Sequence, residues 1–397
     1  MSISQRISLI SPSPTLAISA KAKQMSQEGI DVIGFGAGEP DFDTPDHIKE
    51  AAKKAMDEGF TKYTPTSGIR ELKEAICRKF ETDNSLNYSP EEIIVSCGAK
   101  HSVYNAILTL CNENDEVIIP SPYWVSYPEM VKLTGAKTVL IETSQENNFK
   151  ITPKQLEKAI TLKTKLLILN SPSNPTGMVY TKDELLAIGN ILTDKNIYCI
   201  SDEVYEKIIY DGQYHISIAS LNPQIKSLTV VINGVSKSYS MTGWRIGYAA
   251  GPKEIIKAMS NLQDHSTSNP TSISQKAALA ALEGSQESLY WMVNEFAKRR
   301  NYIVDKLNSI TGISCIKPQG AFYVLPNISQ LLKITVDGHV IHDSIMLAQI
   351  ILSNANVSVV PGYAFGTDCH LRLSYATSME NIIEGLNRIE NFVHKYI

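Results

Sequence analysis

Short apolar runs rich in β-branched residues alternate with longer helical patterns between about residues 91 and 251. These runs are apolar throughout instead of alternating with polar residues, which is typical of strands covered by helices on both faces. The pattern therefore predicts an α/β domain built on a mainly parallel, seven-stranded sheet. The seven predicted strands lie at residues 93–95, 117–119, 139–141, 166–169, 197–200, 230–232 and 246–249.

The pattern changes after Gly251, where it becomes mainly helical, and again from about residue 312, where it becomes mixed. Strand-like segments at 321–325, 357–360 and 370–375 surround a helical stretch at 345–352. We therefore predict a second, smaller α+β domain that the N-terminal segment joins. The expected divisions are 1–45 for the N-terminal segment, 46–300 for the large domain and 301–397 for the small one.

Composition narrows the class of protein. The chain has 397 residues, 43% of them hydrophobic and 20% charged, and a formal net charge of -4. It thus lacks the basic field that would hold nucleic acid or an anionic membrane surface. Six scattered cysteines without C-x-x-C spacing, and no apolar run of signal-peptide or membrane-spanning length, predict a cytoplasmic protein with reduced thiols.

Polar residues follow two neighbouring predicted strands at the point where each strand ends. Asp202 and Tyr205 follow the strand at 197–200, and Asn174 follows the strand at 166–169 in a rigid Pro-rich turn. In an open parallel sheet, ligands bind outside this end of the strands. Asp202 is suited either to capping a helix or to pairing with a protonated pyridine nitrogen, and Asn174 to donating to a phenolate-like oxygen.

Lys237 lies between two serines just beyond the predicted strand at 230–232, and Arg245 follows a few residues later. A single loop lysine is usually a solvated charge. Together, however, the Lys237 amine, the Ser236 hydroxyl and the Arg245 guanidinium suit a phosphorylated aldehyde, because the amine can bond the carbonyl carbon while the other two hold the phosphate. A turn at residues 96–101, which contains Gly98, leads into a predicted helical stretch at 102–110, and the backbone N–H groups at that helix start can receive the same phosphate.

Other motifs are weak or missing. The glycine-rich stretch at 34–38 resembles a dinucleotide-binding loop, but Glu39 replaces the last glycine and the prolines after it cannot open the required helix. We predict instead that Gly38 marks a turn where the backbone approaches a ligand. The chain has no H-E-x-x-H, G-x-S-x-G or P-loop motif, so we expect neither a catalytic metal nor serine hydrolase or P-loop chemistry.

Taken together and in order, six motifs resemble the signature of class I aminotransferases of pyridoxal-phosphate (PLP) fold type I, and the resemblance covers nearly the whole chain. The segment at 121–128 is similar to the bacterial aspartate aminotransferase subgroup. This resemblance implies transfer of the amino group of L-aspartate to 2-oxoglutarate, giving oxaloacetate and L-glutamate, by a ping-pong mechanism. The six motifs lie at 38–40, 174–177, 202–205, 236–237, 243–247 and 371–374.

The resemblance also implies roles for single residues toward the cofactor. Lys237 would hold PLP covalently and carry a proton between the substrate Cα and the cofactor's C4′ carbon. Asp202 would keep the ring nitrogen protonated, Asn174 and Tyr205 would bond the 3-oxygen, and Trp124 would stack on the ring. The phosphate would be held by Gly98, Ala99, Ser236, Arg245 and, from the neighbouring subunit of a homodimer, Tyr63.

For the substrate, the resemblance implies that Arg372 binds the α-carboxylate, with Gly38, Trp124 and Asn174 beside it. The candidates for binding a second carboxylate are Lys100, Ser13 and Thr15. Two alternatives remain open: an aminotransferase for aromatic or other amino acids, and a non-catalytic regulatory or binding protein of the same fold. The intact Lys237, Asp202 and Arg372 count against the second.

Overall fold

The structure is a computed structural model that describes residues 3–10 and 14–397. Its strands are β1 (Ile33–Gly34), β2 (Ile93–Ser96), β3 (Glu116–Ser121), β4 (Lys137–Glu142), β5 (Thr164–Asn170), β6 (Tyr198–Asp202), β7 (Thr229–Gly234), β8 (Gly247–Ala250), β9 (Tyr323–Val324), β10 (Thr335–Val336), β11 (His339–Val340), β12 (Val357–Ser358), β13 (Val360–Pro361) and β14 (Leu371–Ser374). Its α-helices are α1 (Gln5–Ser8), α2 (Pro14–Gln27), α3 (Asp46–Asp57), α4 (Arg70–Asn84), α5 (Ala99–Leu110), α6 (Ser126–Thr134), α7 (Pro153–Ala159), α8 (Lys182–Lys195), α9 (Pro223–Leu228), α10 (Lys253–Asp264), α11 (Ser272–Glu283), α12 (Glu287–Ser309), α13 (Ser344–Ala355) and α14 (Met379–Tyr396).

All seven predicted strands lie in one seven-stranded sheet with the order β2-β8-β7-β6-β5-β3-β4. The neighbouring pairs from β7 through β4 are parallel, whereas β8 runs antiparallel to both β2 and β7. The mainly parallel sheet is therefore confirmed. The runs are continuously apolar because successive side chains face different cores: Ile93 and Val95 pack on one side of the sheet, and Ile94 packs on the other.

A second, smaller unit contains the antiparallel sheet β13-β14-β9 and the parallel pair β1-β12. The strand-like segments and the helix predicted in the C-terminal part are present there. The N-terminal segment joins this unit, since Ile33 pairs with Val357 and shares a buried core with Phe392. The divisions at 45 and 300 stay predictions, and α12 runs across the second one. Within the described residues, every helix is too short or too polar to cross a bilayer.

A cluster of buried charges lies just beyond the end of β6. The carboxylate of Glu203 accepts hydrogen bonds from Ser201, Ser217 and the ring of His215 at 2.7 to 2.9 Å. The carboxylate of Glu206, 6% exposed, is bonded by Asn84 at 2.9 Å and pairs with Lys79.

The ligand atoms of Glu203, Glu206 and His215 lie within 4.8 Å of one another, which is close enough to hold a metal ion. Here, however, the Lys79 ammonium supplies the positive charge beside Glu206. The network links α4 to the segment that follows β6 and so helps to fix the end of the strand that carries Asp202.

Because a buried carboxylate without its partner is costly, Lys79→Met should lower the free energy of unfolding by about 3–5 kcal/mol. Burial alone would raise the pKa of Glu206, but Lys79, His215 and Asn84 together lower it to about 2. This depressed value means that the stabilisation is complete above the ordinary pKa of 4.5 and is lost as the pH falls toward 2. Urea unfolding of both proteins between pH 3 and 7 measures the effect.

The matched control is Lys53→Met. Lys53 also pairs with a glutamate, Glu50, at 2.7 Å, but both side chains are more than 60% exposed. The urea midpoint of the Lys53→Met variant should equal that of the wild type. An equal effect of the two substitutions would contradict the role assigned to the buried pair.

Candidate active site

A cleft of about 1090 Å³ opens at the carboxyl ends of β5 and β6. Asn170 and Asp202, the last residues of these two strands, are register partners, and the chain then turns into the cleft after each of them. Tyr323 and Arg372, from the smaller unit, also line the cleft. Among the residues with predicted roles, the cleft is lined by Gly38, Ala99, Lys100, Trp124, Asn174, Asp202, Tyr205, Ser236, Lys237, Arg245 and Arg372.

Asp202 is 5% exposed, and both of its carboxylate oxygens have donors. The Tyr127 hydroxyl donates to Oδ2 at 2.7 Å, and the Val204 N–H donates to Oδ1 at 3.3 Å. Burial raises the pKa of Asp202 to about 6, while these two hydrogen bonds oppose the rise. The carboxylate is thus a desolvated anion that faces the cleft, which is different from a helix cap.

Asn174 and Tyr205 lie beside this carboxylate. The Asn174 N–H donates to Asn170 Oδ1 at 2.8 Å, and Asn170 Nδ2 donates to the Asp202 carbonyl at 2.9 Å, so one amide connects both strand ends. The Tyr205 hydroxyl lies 2.9 Å from that of Tyr323, and both tyrosines are buried. These contacts hold the two side chains at the same edge of the sheet, as the strand-end argument predicts.

Lys237 lies in the turn after β7, and its amine donates to the Gly38 carbonyl at 2.6 Å. Desolvation lowers the pKa of this amine to about 8; Glu39 raises it, whereas Arg245 and Arg372 lower it further. An amine with this pKa is partly neutral near physiological pH and is therefore a nucleophile and a base. The lysine also touches the glycine-rich turn that was rejected as a nucleotide loop.

Two glycines shape the space beside Arg245. Gly98 precedes α5 with φ of 94°, and a Cβ there would lie 2.4 Å from Arg245 Nη2. A Cβ on Gly247 would lie 2.0 Å from the Ala99 nitrogen, so only glycine lets β8 pass the start of this helix. Within the described chain, no side chain caps α5. Its first amides, Ser236 and Arg245 therefore form a cradle suited to an anion.

Arg372, in β14, is 4% exposed, and its Cζ atom lies over the rings of Tyr323 and Phe365 at 4.6 and 4.9 Å from their centroids. Nη2 donates to the Gly36 carbonyl at 2.8 Å and Nη1 to Asn174 Oδ1 at 3.3 Å. Its Nε is buried and has no hydrogen-bond partner among the described residues. A planar, desolvated guanidinium with spare donors is suited to a carboxylate.

Trp124 and Lys100 also line the cleft. The Lys100 ammonium is 4.9 Å from the centroid of the Trp124 ring, and desolvation, with a contribution from Arg245, lowers its pKa. The Trp124 ring in turn meets Tyr127 edge to face at 5.2 Å. This part of the cleft therefore combines an aromatic surface with a positive charge.

Among the described residues with predicted roles, Gly98 and Tyr63 do not line the cleft, although Gly98 directly precedes Ala99, which does. Tyr63 is 91% exposed and does not line the cleft, so its predicted role toward a neighbouring subunit stays a prediction. Ser13 lies outside the described residues. Thr15 belongs to α2, and its side chain is likewise outside the described part of the structure.

Sequence reasoning assigned no role to two residues that shape the site, Tyr127 and Tyr323. Tyr127 belongs to the 121–128 segment that carries the subgroup resemblance, which is the one signal that could have found it. Tyr323 is a buried strand residue in an apolar run, so its sequence context is that of an ordinary core position. Both act through contacts between residues far apart in the chain.

A mainly parallel sheet carries a lysine with a lowered pKa and a buried aspartate at its edge, and an arginine of the smaller unit lines the same cleft. These groups define a class of enzyme, and comparison with known proteins identifies the same class. The chain belongs to the family described as aminotransferase class I and II, whose model matches residues 30–389. It is therefore an aminotransferase, and enzymes of this family use PLP. The expected family and the expected fold class are both confirmed.

Individual relatives are similar over their full length. The aspartate aminotransferase of Geobacillus stearothermophilus is 54% identical, with 99% of each chain covered. Among solved structures, the aspartate aminotransferase from Rhizobium meliloti superposes with a TM-score of 0.97 at 43% identity and covers 100% of both chains. That from Thermus thermophilus with maleate gives 0.92 at 42% identity, covering 98% of this chain and 99% of that one.

The lowered pKa of Lys237 predicts how its reactivity depends on pH. In cofactor-free protein, reductive methylation by formaldehyde with cyanoborohydride as the reductant should label Lys237 with a midpoint near pH 8, because only the neutral amine attacks. Glu39→Gln should move the midpoint down, since Glu39 favours the charged amine. Peptide mass spectrometry measures the labelled fraction. Glu28→Gln, on the exposed surface, is the control, and a wild-type midpoint near 10.5 would contradict the interpretation.

Proposed function

We propose that the chain is an aspartate aminotransferase that transfers the amino group of L-aspartate to 2-oxoglutarate in a ping-pong reaction. One observation carries the proposal: the Lys237 amine, the Asp202 carboxylate and the Arg372 guanidinium meet in a single cleft. The names of the relatives at 52–54% identity support aspartate as the substrate. The maleate in the Thermus thermophilus structure is itself a dicarboxylate.

The proposed cofactor, PLP, fits the residues present. The space that Gly98 and Gly247 leave open, the uncapped start of α5 and the Arg245 guanidinium suit its phosphate. The buried Asp202 suits a protonated ring nitrogen, and Asn174 and Tyr205 suit the 3-oxygen. Trp124 would cover one face of the ring, and Lys237 would hold the cofactor. The bound cofactor supplies an electron sink for the electrons released at the substrate Cα.

Arg372 orients the substrate by pairing its planar fork with the α-carboxylate. Because the guanidinium contacts the rings of Tyr323 and Phe365 and donates to the Gly36 carbonyl, it needs little reorganisation to do so. Once the substrate amine had taken its place on the cofactor, the free Nζ of Lys237 would take the proton from the substrate Cα and deliver it to the cofactor's C4′ carbon. Its lowered pKa suits this role, since a base works best near the operating pH.

Selectivity for a second carboxylate is assigned to Lys100, which lines the same cleft as Arg372, with Ser13 and Thr15 as further candidates. The positive charge of Lys100 next to Trp124 supports this choice.

The high exposure of Tyr63 supports a homodimer, in which this side chain would reach the phosphate of the neighbouring site. The proposed location is the cytoplasm, because all six cysteines are free.

A panel of amino donors tests the function. With 2-oxoglutarate as acceptor, kcat/KM should be higher for aspartate than for phenylalanine or alanine. Lys100→Met should lower kcat/KM for aspartate about tenfold and leave the values for phenylalanine and alanine unchanged, because aspartate alone among these three donors has a second carboxylate. Lys237→Ala should lose the absorption band of the bound cofactor. A wild-type protein without this band, or one that prefers phenylalanine or alanine, would contradict the proposal.

The cofactor cradle predicts the effect of one methyl group. Gly98→Ala would push against Arg245 and should weaken PLP binding about tenfold or more, since a lost charge-assisted hydrogen bond costs about 1.5–3 kcal/mol. Titration of cofactor-free protein, followed by absorbance, measures the dissociation constant.

Gly59→Ala is the matched control, because Gly59 also has a positive φ, 74°, but a Cβ there meets nothing within 4 Å. It carries the backbone strain without the steric clash. Equal losses in the two variants would show that strain, and not the shape of the cradle, weakens binding.

A further inference from the structure

Tyr127 has no role in the reaction described so far, although it contacts two residues of the site. Its hydroxyl donates to Asp202 Oδ2 at 2.7 Å, and its ring packs edge to face on Trp124 at 5.2 Å with an interplanar angle of 82°. Trp124 and Asp202 are the residues proposed to contact the face and the nitrogen of the cofactor ring. Tyr127 therefore contacts both of these residues, which are proposed to hold the same cofactor ring.

The position of Tyr127 is tightly constrained. It lies in the first turn of α6, is 2% exposed, and packs among core residues that include Ile168 and Ile200 from β5 and β6. Burial, with the negative charge of Asp202, raises the pKa of its phenol well above the ordinary value of 10. The hydroxyl thus keeps its proton, and Asp202 is the acceptor that the structure provides for it.

We propose that Tyr127 is a positioning residue that keeps Asp202 ionised and turned toward the cleft, so that a proton shared by Asp202 and the cofactor's ring nitrogen stays on the nitrogen. This inference rests on the proposed function. It assigns Tyr127 no contact with the reacting atoms. Its effect passes entirely through the Asp202 carboxylate and the fixed Trp124 ring.

The physical reason is a balance of opposing influences on one buried carboxyl. Burial and the neighbouring Glu203 both favour the neutral form of Asp202, whereas Tyr127 and the Val204 N–H favour the anion. Of the two donors, Tyr127 makes the shorter hydrogen bond, 2.7 against 3.3 Å. Without the hydrogen bond from Tyr127, the neutral form of Asp202 becomes more favourable relative to the anion. A neutral carboxyl cannot balance a positive ring nitrogen, so the proton would pass from nitrogen to oxygen.

The test is the ¹⁵N NMR shift of the ring nitrogen in holoenzyme loaded with ¹⁵N-labelled PLP. The wild-type shift should be that of a protonated ring, and in Tyr127→Phe it should move measurably toward that of an unprotonated one, with Asp202→Asn as the reference for a lost anion. In the same variant, kcat for aspartate should fall about tenfold while KM changes by less than about twofold, because substrate contacts remain.

Tyr180→Phe is the matched control. Tyr180 is a buried tyrosine whose hydroxyl accepts a hydrogen bond from the Ile151 N–H at 3.0 Å, and it does not line the cleft. Its holoenzyme should give the wild-type shift. Thermal unfolding of both variants separates a loss of stability from the effect on the ring nitrogen.

Should Tyr127→Phe fail to fold, replacing Tyr127 by 4-fluorophenylalanine fills the space of the hydroxyl without its proton, and the same movement of the shift is expected. An unchanged shift in either folded protein overturns the role of Tyr127. If the wild type itself binds no PLP or does not react with aspartate, the proposed function fails and the inference fails with it. A wild type that does both, beside an unchanged variant, overturns the inference alone.

Discussion

The parallel pairing of β5 with β6 is the constraint on which the rest of the site depends. It places Asn170 opposite Asp202 at the point where both strands end. The side-chain amide of Asn170 then accepts a hydrogen bond from the Asn174 N–H and donates one to the Asp202 carbonyl, so that it connects the two strand ends. A shift of one residue in this register would turn Asp202 away from the cleft, because successive side chains of a strand point to opposite faces.

Desolvation gives the groups at this edge their chemical character. The same burial that raises the pKa of Asp202 to about 6 lowers that of Lys237 to about 8, so an acid and a base approach each other in proton affinity. Arg372 remains a cation in the same cleft, in contact with two aromatic rings. Each group is less well hydrated than it would be at the surface, and electrostatic interactions among them and with a bound ligand are correspondingly stronger.

Fixed backbone geometry holds these groups in place. Gly247 lets β8 pass the start of α5, and Gly98 leaves room for Arg245. Beyond β6, the ionic cluster of Glu203, Glu206 and Lys79 ties α4 to the segment that follows Asp202. The site is thus supported from one side by close backbone contacts and from the other by buried charges, which is the kind of second layer that keeps reactive side chains oriented.

The sequence by itself determined the seven strands, the mainly parallel sheet and most of the polar residues at its edge. It could do so because continuous apolar runs and the residues that follow them are local patterns, and because the ends of parallel strands meet at one edge. Lys237, Asp202, Asn174 and Arg245 were identified in this way, with help from the order of the motifs. Only the tertiary structure decided that β8 runs antiparallel between β2 and β7, that Tyr127 bonds Asp202 across 75 positions, and that Tyr323 meets Tyr205 across 118. Such contacts join residues that look like ordinary core positions, and no local pattern encodes which distant partner a buried hydroxyl will find.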